Sequence, residues 1–236
     1  MIKAVLFDLD GTLLPMDQDE FTKGYFKLLA KKLTPRGYKA EELIKAVWHG
    51  TAAMVNNNGS RTNEEVFWAD FIALCGEQAG DDRPLFEEFY QNEFSQAKSL
   101  CGFSPKAAET VRLLRDNGIR VVLATNPIFP AVATESRIRW AGLEPDEFEL
   151  YTTYENIGWC KPNPEYYREI LRRMALPPEE CLMVGNDVGE DMIAETLGMK
   201  VFLLTDCLIN KNGDDLSRWP HGDFAALQQF LRENLA

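Results

Sequence analysis

Apolar residues follow two different patterns along the chain. Short, almost continuous apolar runs that end in polar residues occur at positions 4–10, 120–126, 182–187 and 200–206. Runs of this length favour strands that are covered on both faces, as in a parallel sheet between helices. Segments with helical spacing separate them, and this alternation implies right-handed crossovers. The pattern therefore predicts an α/β fold with a doubly wound, mostly parallel sheet.

The stretch from about residue 17 to residue 97 has a different character. Its apolar residues recur at helical spacing, and we find no strand pattern in it. Helices are predicted in four places: around 21–32, over 41–55, from 63 onwards, and from 83 or 84 to 97. We expect an α/β core made of residues 1–15 and 101–236. Residues 16–100 are expected to form an all-helical domain, inserted through two linkers and placed to act as a lid.

Composition limits the possible partners. The chain has 236 residues, with 25 Lys and Arg against 37 Asp and Glu, and a net charge of −12. That balance argues against nucleic acid and anionic membranes as partners. The five cysteines are scattered without a Cys-x-x-Cys pair, as expected of reduced thiols in a cytoplasmic protein. Neither His49 nor His221 has metal-ligand spacing, which argues against a zinc site.

Polar side chains stand where the predicted strands end. Asp8 and Asp10 are two residues apart and so project to the same side of the first strand, and Asp187 ends a later one. Taken alone, Asp10 and Gly11 fit a simple hairpin turn better than a functional site. Carboxyl ends of parallel strands share one sheet edge, however, so these groups are expected to converge. Oxygen ligands without His or Cys suit Mg²⁺.

Four motifs in order give the chain a resemblance to a known family. They are Asp-Leu-Asp-Gly-Thr-Leu at 8–13, Thr-Asn at 125–126, Gly-Trp-Cys-Lys-Pro at 158–162, and Gly-Asn-Asp-Val-Gly-Glu-Asp at 185–191. The chain resembles the haloacid dehalogenase (HAD) superfamily, in its phosphatase branch with a helical cap between the first and second motifs. The resemblance implies a Rossmann-like core.

The resemblance also implies roles for the first motif and for the metal. Asp8 would be the nucleophile that carries a transient aspartyl phosphate. Asp10 would protonate the leaving oxygen and then deprotonate water. Asp8, the backbone carbonyl of Asp10, and Asp187 would hold Mg²⁺. Family members that displace halide lack the second aspartate, so Asp10 favours phosphatase chemistry.

The remaining motif residues would bind and support the phosphoryl group. By the same resemblance Thr125 and Lys161 would bind its oxygens, Asn126 would assist, and Asp191 would support the metal or orient Lys161. The sequence does not decide whether Glu190 or Asp191 is the second acid of the fourth motif. We expect Glu190 to face solvent in the first turn of a helix.

Other candidate residues receive plainer interpretations. Arg61 is expected to be a solvated loop arginine rather than a substrate ligand. Cys160 lacks a nearby base in the sequence and is expected to pack rather than react. A group of inserted-domain aromatics is expected to form that domain's core rather than a substrate platform: Trp48, Phe67, Trp68 and Phe71.

The leading hypothesis is a magnesium-dependent phosphatase that acts on a small phosphorylated metabolite. Two alternatives on the same fold are a sugar-phosphate mutase and a phosphonate hydrolase, which would use a lysine of the cap as an imine-forming amine. From another class come a signalling receiver domain, which is usually shorter, and a non-catalytic binding protein. We expect a cytoplasmic monomer or small homo-oligomer.

Overall fold

A single parallel sheet of six strands forms the centre of the molecule in the computed structural model, which describes residues 1–235. The strands, in chain order, are β1 Ala4–Phe7, β2 Arg120–Leu123, β3 Leu150–Tyr151, β4 Cys181–Gly185, β5 Lys200–Leu204 and β6 His221–Gly222. Their order in the sheet is β3-β2-β1-β4-β5-β6, and every neighbouring pair is parallel. This confirms the predicted fold class.

Alternate strand residues point to opposite faces of the sheet, and each face has its own apolar core. Val5 and Phe7 of β1 belong to one cluster, whereas Ala4 and Leu6 belong to the other. All four β1 residues are completely buried. The continuous apolar run is explained by this burial on both sides, because neither face of the strand meets water.

Helices cover both faces of the sheet. They are α6 Pro105–Asp116, α7 Ala131–Trp140, α8 Pro164–Met174 and α9 Phe224–Asn234. Apolar residues of α6, α7 and α9 belong to the same cluster as Phe7, and those of α8 to the same cluster as Leu6. The segment between β4 and β5 contains a 3₁₀ helix, Met192–Leu197, and the two-residue β6 was not predicted.

The inserted segment is helical throughout its described elements. They are α1 Gln18–Leu33, a 3₁₀ turn Thr34–Arg36, α2 Ala40–Val55, α3 Asn63–Cys75, α4 Gln78–Asp81, α5 Arg83–Gln91 and a 3₁₀ helix Glu93–Leu100. The predicted fourth helix is therefore two elements, separated at Asn92. The sequence did not predict the short α4. The limits of the two domains remain a prediction.

The chain leaves and re-enters the core at one place. Met16 and Cys101 form an antiparallel bridge, and the Gly102 amide donates to the Pro15 carbonyl at 2.7 Å. Farther away, the ring of Phe94 stacks on that of Trp140 in α7, with their centroids 5.2 Å apart. The helical segment is thus packed on the core both at the crossing and through aromatic contacts.

No helix within residues 1–235 combines the length and apolar character that crossing a membrane would require.

Candidate active site

The candidate site lies where the strand order of the sheet reverses. β1 is flanked by β2 and β4, so the residues that follow these three strands meet at one edge. The Asp8 amide donates to the Val184 carbonyl at 2.9 Å, which extends the pairing of β1 and β4 up to the site. Gly11 then has φ +84°, a conformation that favours glycine, and a Cβ there would collide with Asn186.

Lys161 connects the first and fourth motifs. Its ammonium group donates to Asp8 Oδ1 at 2.8 Å and to Asp191 Oδ1 at 2.6 Å. The lysine is 1% exposed. Burial opposes its charge, but the carboxylates of Asp191 and Asp8 outweigh burial and raise the pKa of Lys161 well above its ordinary value. The lysine therefore remains a cation beside Asp8.

Asp10 has a partner that the sequence did not suggest. Its Oδ2 forms an ion pair with Arg137 in α7, and Arg137 is completely buried. Oδ1 of Asp10 is buried without a hydrogen-bond partner in the described chain. Burial raises the pKa of Asp10, the Arg137 guanidinium opposes this, and the charge of Asp8 adds to it. The ion pair thus fixes Oδ2 of Asp10, whereas Oδ1 makes no hydrogen bond within the described chain.

The fourth motif forms a tight loop after β4. Asp187 Oδ1 accepts from the amides of Gly189 at 2.8 Å and Glu190 at 3.0 Å. The Asp187 amide donates to Asp191 Oδ2 at 3.0 Å. Asp191 is buried, and its other oxygen accepts from Lys161. Asp191 is therefore hydrogen-bonded to both the motif loop and the lysine, and its role in supporting the metal or orienting Lys161 remains a prediction.

The expectation that Glu190 faces solvent is wrong. Glu190 is half-buried, lines the cavity, and accepts from Asn126 Nδ2 at 3.0 Å. Burial is the main cause that raises the pKa of Glu190 to about 7. Lys161 opposes this rise, and the neighbouring acids Asp191 and Asp187 add to it. The segment after Asp187 is a tight loop and not a regular helix, so its side chains do not follow the periodicity that the prediction assumed.

The second motif lies beside these acids. Thr125 and Asn126 both line the cavity. The Thr125 carbonyl accepts from the hydroxyls of Thr152 at 2.7 Å and Tyr166 at 2.8 Å, which fixes the backbone here. Asn126 Oδ1 is buried and has no hydrogen-bond partner in the described chain. The structure thus brings every residue of the predicted site to one edge of the sheet.

The donor set fits a hard divalent cation. Within residues 1–235, no three His, Cys, Asp or Glu side chains lie together in a way that would hold a metal by themselves. Mg²⁺ needs only one or two carboxylates, because water and substrate oxygens complete its shell. The site has five acidic side chains and two cationic ones, Lys161 and Arg137. Two buried oxygens, Asp10 Oδ1 and Asn126 Oδ1, have no hydrogen-bond partner in the described chain. The acids are Asp8, Asp10, Asp187, Glu190 and Asp191.

The plainer interpretations have mixed outcomes. Arg61 is exposed and does not line the cavity, and the Cys160 thiol is buried, accepting from Asn63 Nδ2 at 3.2 Å. Phe71 is completely buried, as expected of a core residue. Trp48 is not in the core: it is 51% exposed and lines the cavity. Phe67 and Trp68 are buried and also line the cavity.

A comparison with models of protein families identifies the family of this chain. The model described as haloacid dehalogenase-like hydrolase matches residues 2–194. The chain belongs to this family, and the resemblance predicted from its four motifs is confirmed.

Individual relatives agree with this assignment. The chain is 27% identical over 228 residues to the glyceraldehyde 3-phosphate phosphatase of Methanothermobacter thermautotrophicus, covering 92% of this chain and 95% of that protein. It is 26% identical over 205 residues to the phosphoglycolate phosphatase of Yersinia pestis, covering 86% and 81%. The fold is similar to the crystal structure of 2-haloacid dehalogenase from Pseudomonas syringae, with TM-score 0.64, 19% identity and 99% coverage of both chains. Both of these curated relatives are named as phosphatases, and the family that this chain belongs to is that of the HAD-like hydrolases.

Proposed function

We propose that the protein is a magnesium-dependent phosphatase that hydrolyses a small phosphate monoester through a phosphorylated Asp8. The observation that carries the proposal is the Asp8 carboxylate, which faces the cavity with one oxygen held by Lys161. Holding one oxygen leaves the other to act as nucleophile from a defined position. The names of the curated phosphatase relatives support the same reaction.

In the first step, an oxygen of Asp8 attacks phosphorus and the bond from phosphorus to the leaving oxygen breaks. Asp10, protonated, gives its proton to that oxygen, so an alcohol leaves. In the second step, Asp10 takes a proton from water as the water oxygen attacks phosphorus. The bond from phosphorus to Asp8 breaks, and inorganic phosphate and free Asp8 result. The ion pair with Arg137 positions Asp10 for both transfers.

The charge of the phosphoryl group requires compensation. Lys161 is buried beside Asp8 and can hold a phosphoryl oxygen as the negative charge shifts during the reaction. Thr125 and Asn126 line the same part of the cavity and are proposed to hold the other oxygens. Asp8, the Asp10 carbonyl and Asp187 would hold Mg²⁺, which neutralises charge on the phosphoryl oxygens when it is bound.

The imine chemistry of a phosphonate hydrolase has no support in the described cavity. None of the inserted segment's candidate lysines lines it. These are Lys23, Lys27, Lys31, Lys32, Lys39 and Lys45.

Replacing the nucleophile tests the proposal. Asp8→Asn should lower kcat for 4-nitrophenyl phosphate by roughly 10⁴-fold or more, as is typical when a nucleophile is removed. Steady-state assays with Mg²⁺ would measure the rate, and circular dichroism would check the fold. In the same assay, excess chelator should stop turnover of the unaltered enzyme and Mg²⁺ should restore it.

The matched control is Asp116→Asn, an exposed aspartate in α6 that does not line the cavity and should leave kcat unchanged. Asp10→Asn, quenched in acid after a single turnover, should carry a phosphoryl group on the peptide that contains Asp8. Normal turnover by a well-folded Asp8→Asn protein would exclude Asp8 as the nucleophile.

A further inference from the structure

The cavity above Asp8 is large and aromatic. Its volume is about 500 Å³, within the range of pockets that enclose drug-sized ligands. Eight of the residues that line it from the inserted segment are aromatic: Phe21, Tyr25, Phe26, Trp48, Phe67, Trp68, Phe86 and Tyr90. A two-carbon alcohol would contact few of these rings. A ring-sized leaving group would bury its surface against them, with the edge-to-face contacts that aromatic pairs prefer.

Outside the four motifs, acidic groups dominate the charged residues that line the cavity. Glu64, Glu87 and Glu155 line it, whereas Arg83 is the cation there among the lining residues of the described chain. Burial raises the pKa of Glu64, and so does the charge of Glu155, while Arg83 lowers it. These groups are therefore close enough to influence one another. Three carboxylates exceed one guanidinium, so this region repels anions.

Arg83 is not arranged as a free anion site. Its guanidinium lies over the ring of Trp68, 4.8 Å from the centroid, and its charge is partly compensated by Glu64. Glu155 is held in place because both its oxygens accept from the Ala131 amide, at 2.8 and 3.1 Å. A second negative group on the substrate would thus meet fixed carboxylates and an arginine already engaged elsewhere.

We infer that the substrate is a phosphate monoester whose leaving alcohol is aromatic or of similar apolar bulk and carries no second anionic group. This inference rests on the proposed function and specifies its substrate class. Phosphoglycolate, after which one relative is named, has a carboxylate at the far end of a small leaving group. It lacks both properties, so it is expected to be a poor substrate.

The test is a matched series of benzyl phosphates. Benzyl phosphate, its 4-aminomethyl derivative and its 4-carboxy derivative present nearly the same leaving oxygen but a different charge at the far end. We expect kcat/KM for the carboxylate to be at least about tenfold below the other two, because like charges in an enclosed site repel strongly. Phosphoglycolate should also fall below benzyl phosphate. Equal or better turnover of the carboxylate or of phosphoglycolate would overturn the inference.

Substitutions of the lining residues distinguish the effect of the cavity's charge on substrate preference from the effect of its shape. Glu64→Gln and Glu87→Gln should narrow the difference between the neutral and carboxylated substrates, whereas Glu41→Gln, exposed in α2 and outside the cavity, should not change it. Trp48 is half-exposed, so Trp48→Ala should fold, and it should lower kcat/KM for benzyl phosphate more than for methyl phosphate. If Arg83→Gln selectively lost activity on the carboxylate, Arg83 would be an anion site and the inference would be wrong.

The two proposals fail in different ways. If no phosphate monoester is turned over with Mg²⁺, the proposed function itself fails. If turnover depends on Asp8 but the anionic substrates are preferred, only the substrate class is wrong.

Discussion

At the scale of single residues, Arg137 shows how the core supports the site. It is completely buried, pairs with Asp10, and lies over the ring of Phe129 at 4.4 Å from the centroid. Its guanidinium also donates to the Ala133 carbonyl and to Thr134 Oγ1, both at 3.3 Å. A buried charge of this kind is tolerated because it is paired and hydrogen-bonded.

Arg137→Met should destabilise the protein by about 3 kcal/mol, because it leaves the Asp10 carboxylate without its partner in a largely buried position. The free energy of unfolding in urea, followed by tryptophan fluorescence, measures this loss. Arg139→Met is the matched control two residues further along α7. Arg139 is exposed, and its ion pairs within residues 1–235 are with Glu135 and Glu144, so its replacement should cost less than about 1 kcal/mol. Equal stability of the two variants would contradict the assignment.

Sequence reasoning could not find Arg137, since arginines at 137 and 139 look alike in the chain. Only the packing of α7 against the core distinguishes the buried one from the exposed one. The same limit explains Glu190, whose neighbours in space come from the second motif, 64 positions away.

At the scale of elements, the start of α3 attaches the inserted segment to the core. Thr62 and Glu65 form a capping box there. Next to the cap, Asn63 is completely buried, and its amide group donates to the Pro127 carbonyl at 3.2 Å and to Cys160 Sγ at 3.2 Å. Its side-chain oxygen accepts from Asn57 Nδ2 at 2.9 Å. One side chain therefore joins the loop before α3 to the loops of the second and third motifs.

Asn63→Ala should lower the free energy of unfolding by about 1–3 kcal/mol, because it leaves the buried Asn57 amide and the Pro127 carbonyl without this partner. Urea denaturation measures the change. Asn58→Ala, in the exposed part of the same loop, should stay within about 0.5 kcal/mol of the unaltered protein. A change in Asn63→Ala no larger than that of the control would show that this attachment contributes little.

Prediction at this scale succeeded for long, strongly periodic elements and for buried strands. It was less accurate for short ones. The predicted helix at 83–97 breaks at Asn92, and 192–197 is a 3₁₀ helix, because short segments take their conformation from the packing around them rather than from their own periodicity.

At the scale of the whole molecule, the net charge of −12 and the acidic lining of the cavity both oppose the binding of polyanions. A long polyanion gains no counterion release from a surface that lacks excess cations. Under the proposed function, a phosphate would be attracted at the site, where Lys161 and the proposed metal would offset the surrounding carboxylates locally.

The protein should therefore not bind duplex DNA. Anisotropy of a fluorescently labelled duplex at low salt should stay unchanged as the protein is added, whereas a basic protein of similar size should raise it. Saturable binding that weakens as salt is added would reveal a basic surface that the net charge conceals.

The sequence by itself determined the alternation of strands and helices, the inserted helical segment and the motif residues at the strand ends. These features depend on periodicity and on the local order of residues, so they can be inferred from the sequence alone. Only the tertiary structure decided which partner holds each motif residue, that Glu190 turns inward, and that an aromatic, acidic cavity lies over Asp8. Those features depend on side chains that are distant in sequence and meet only when the sheet and the inserted helices pack together.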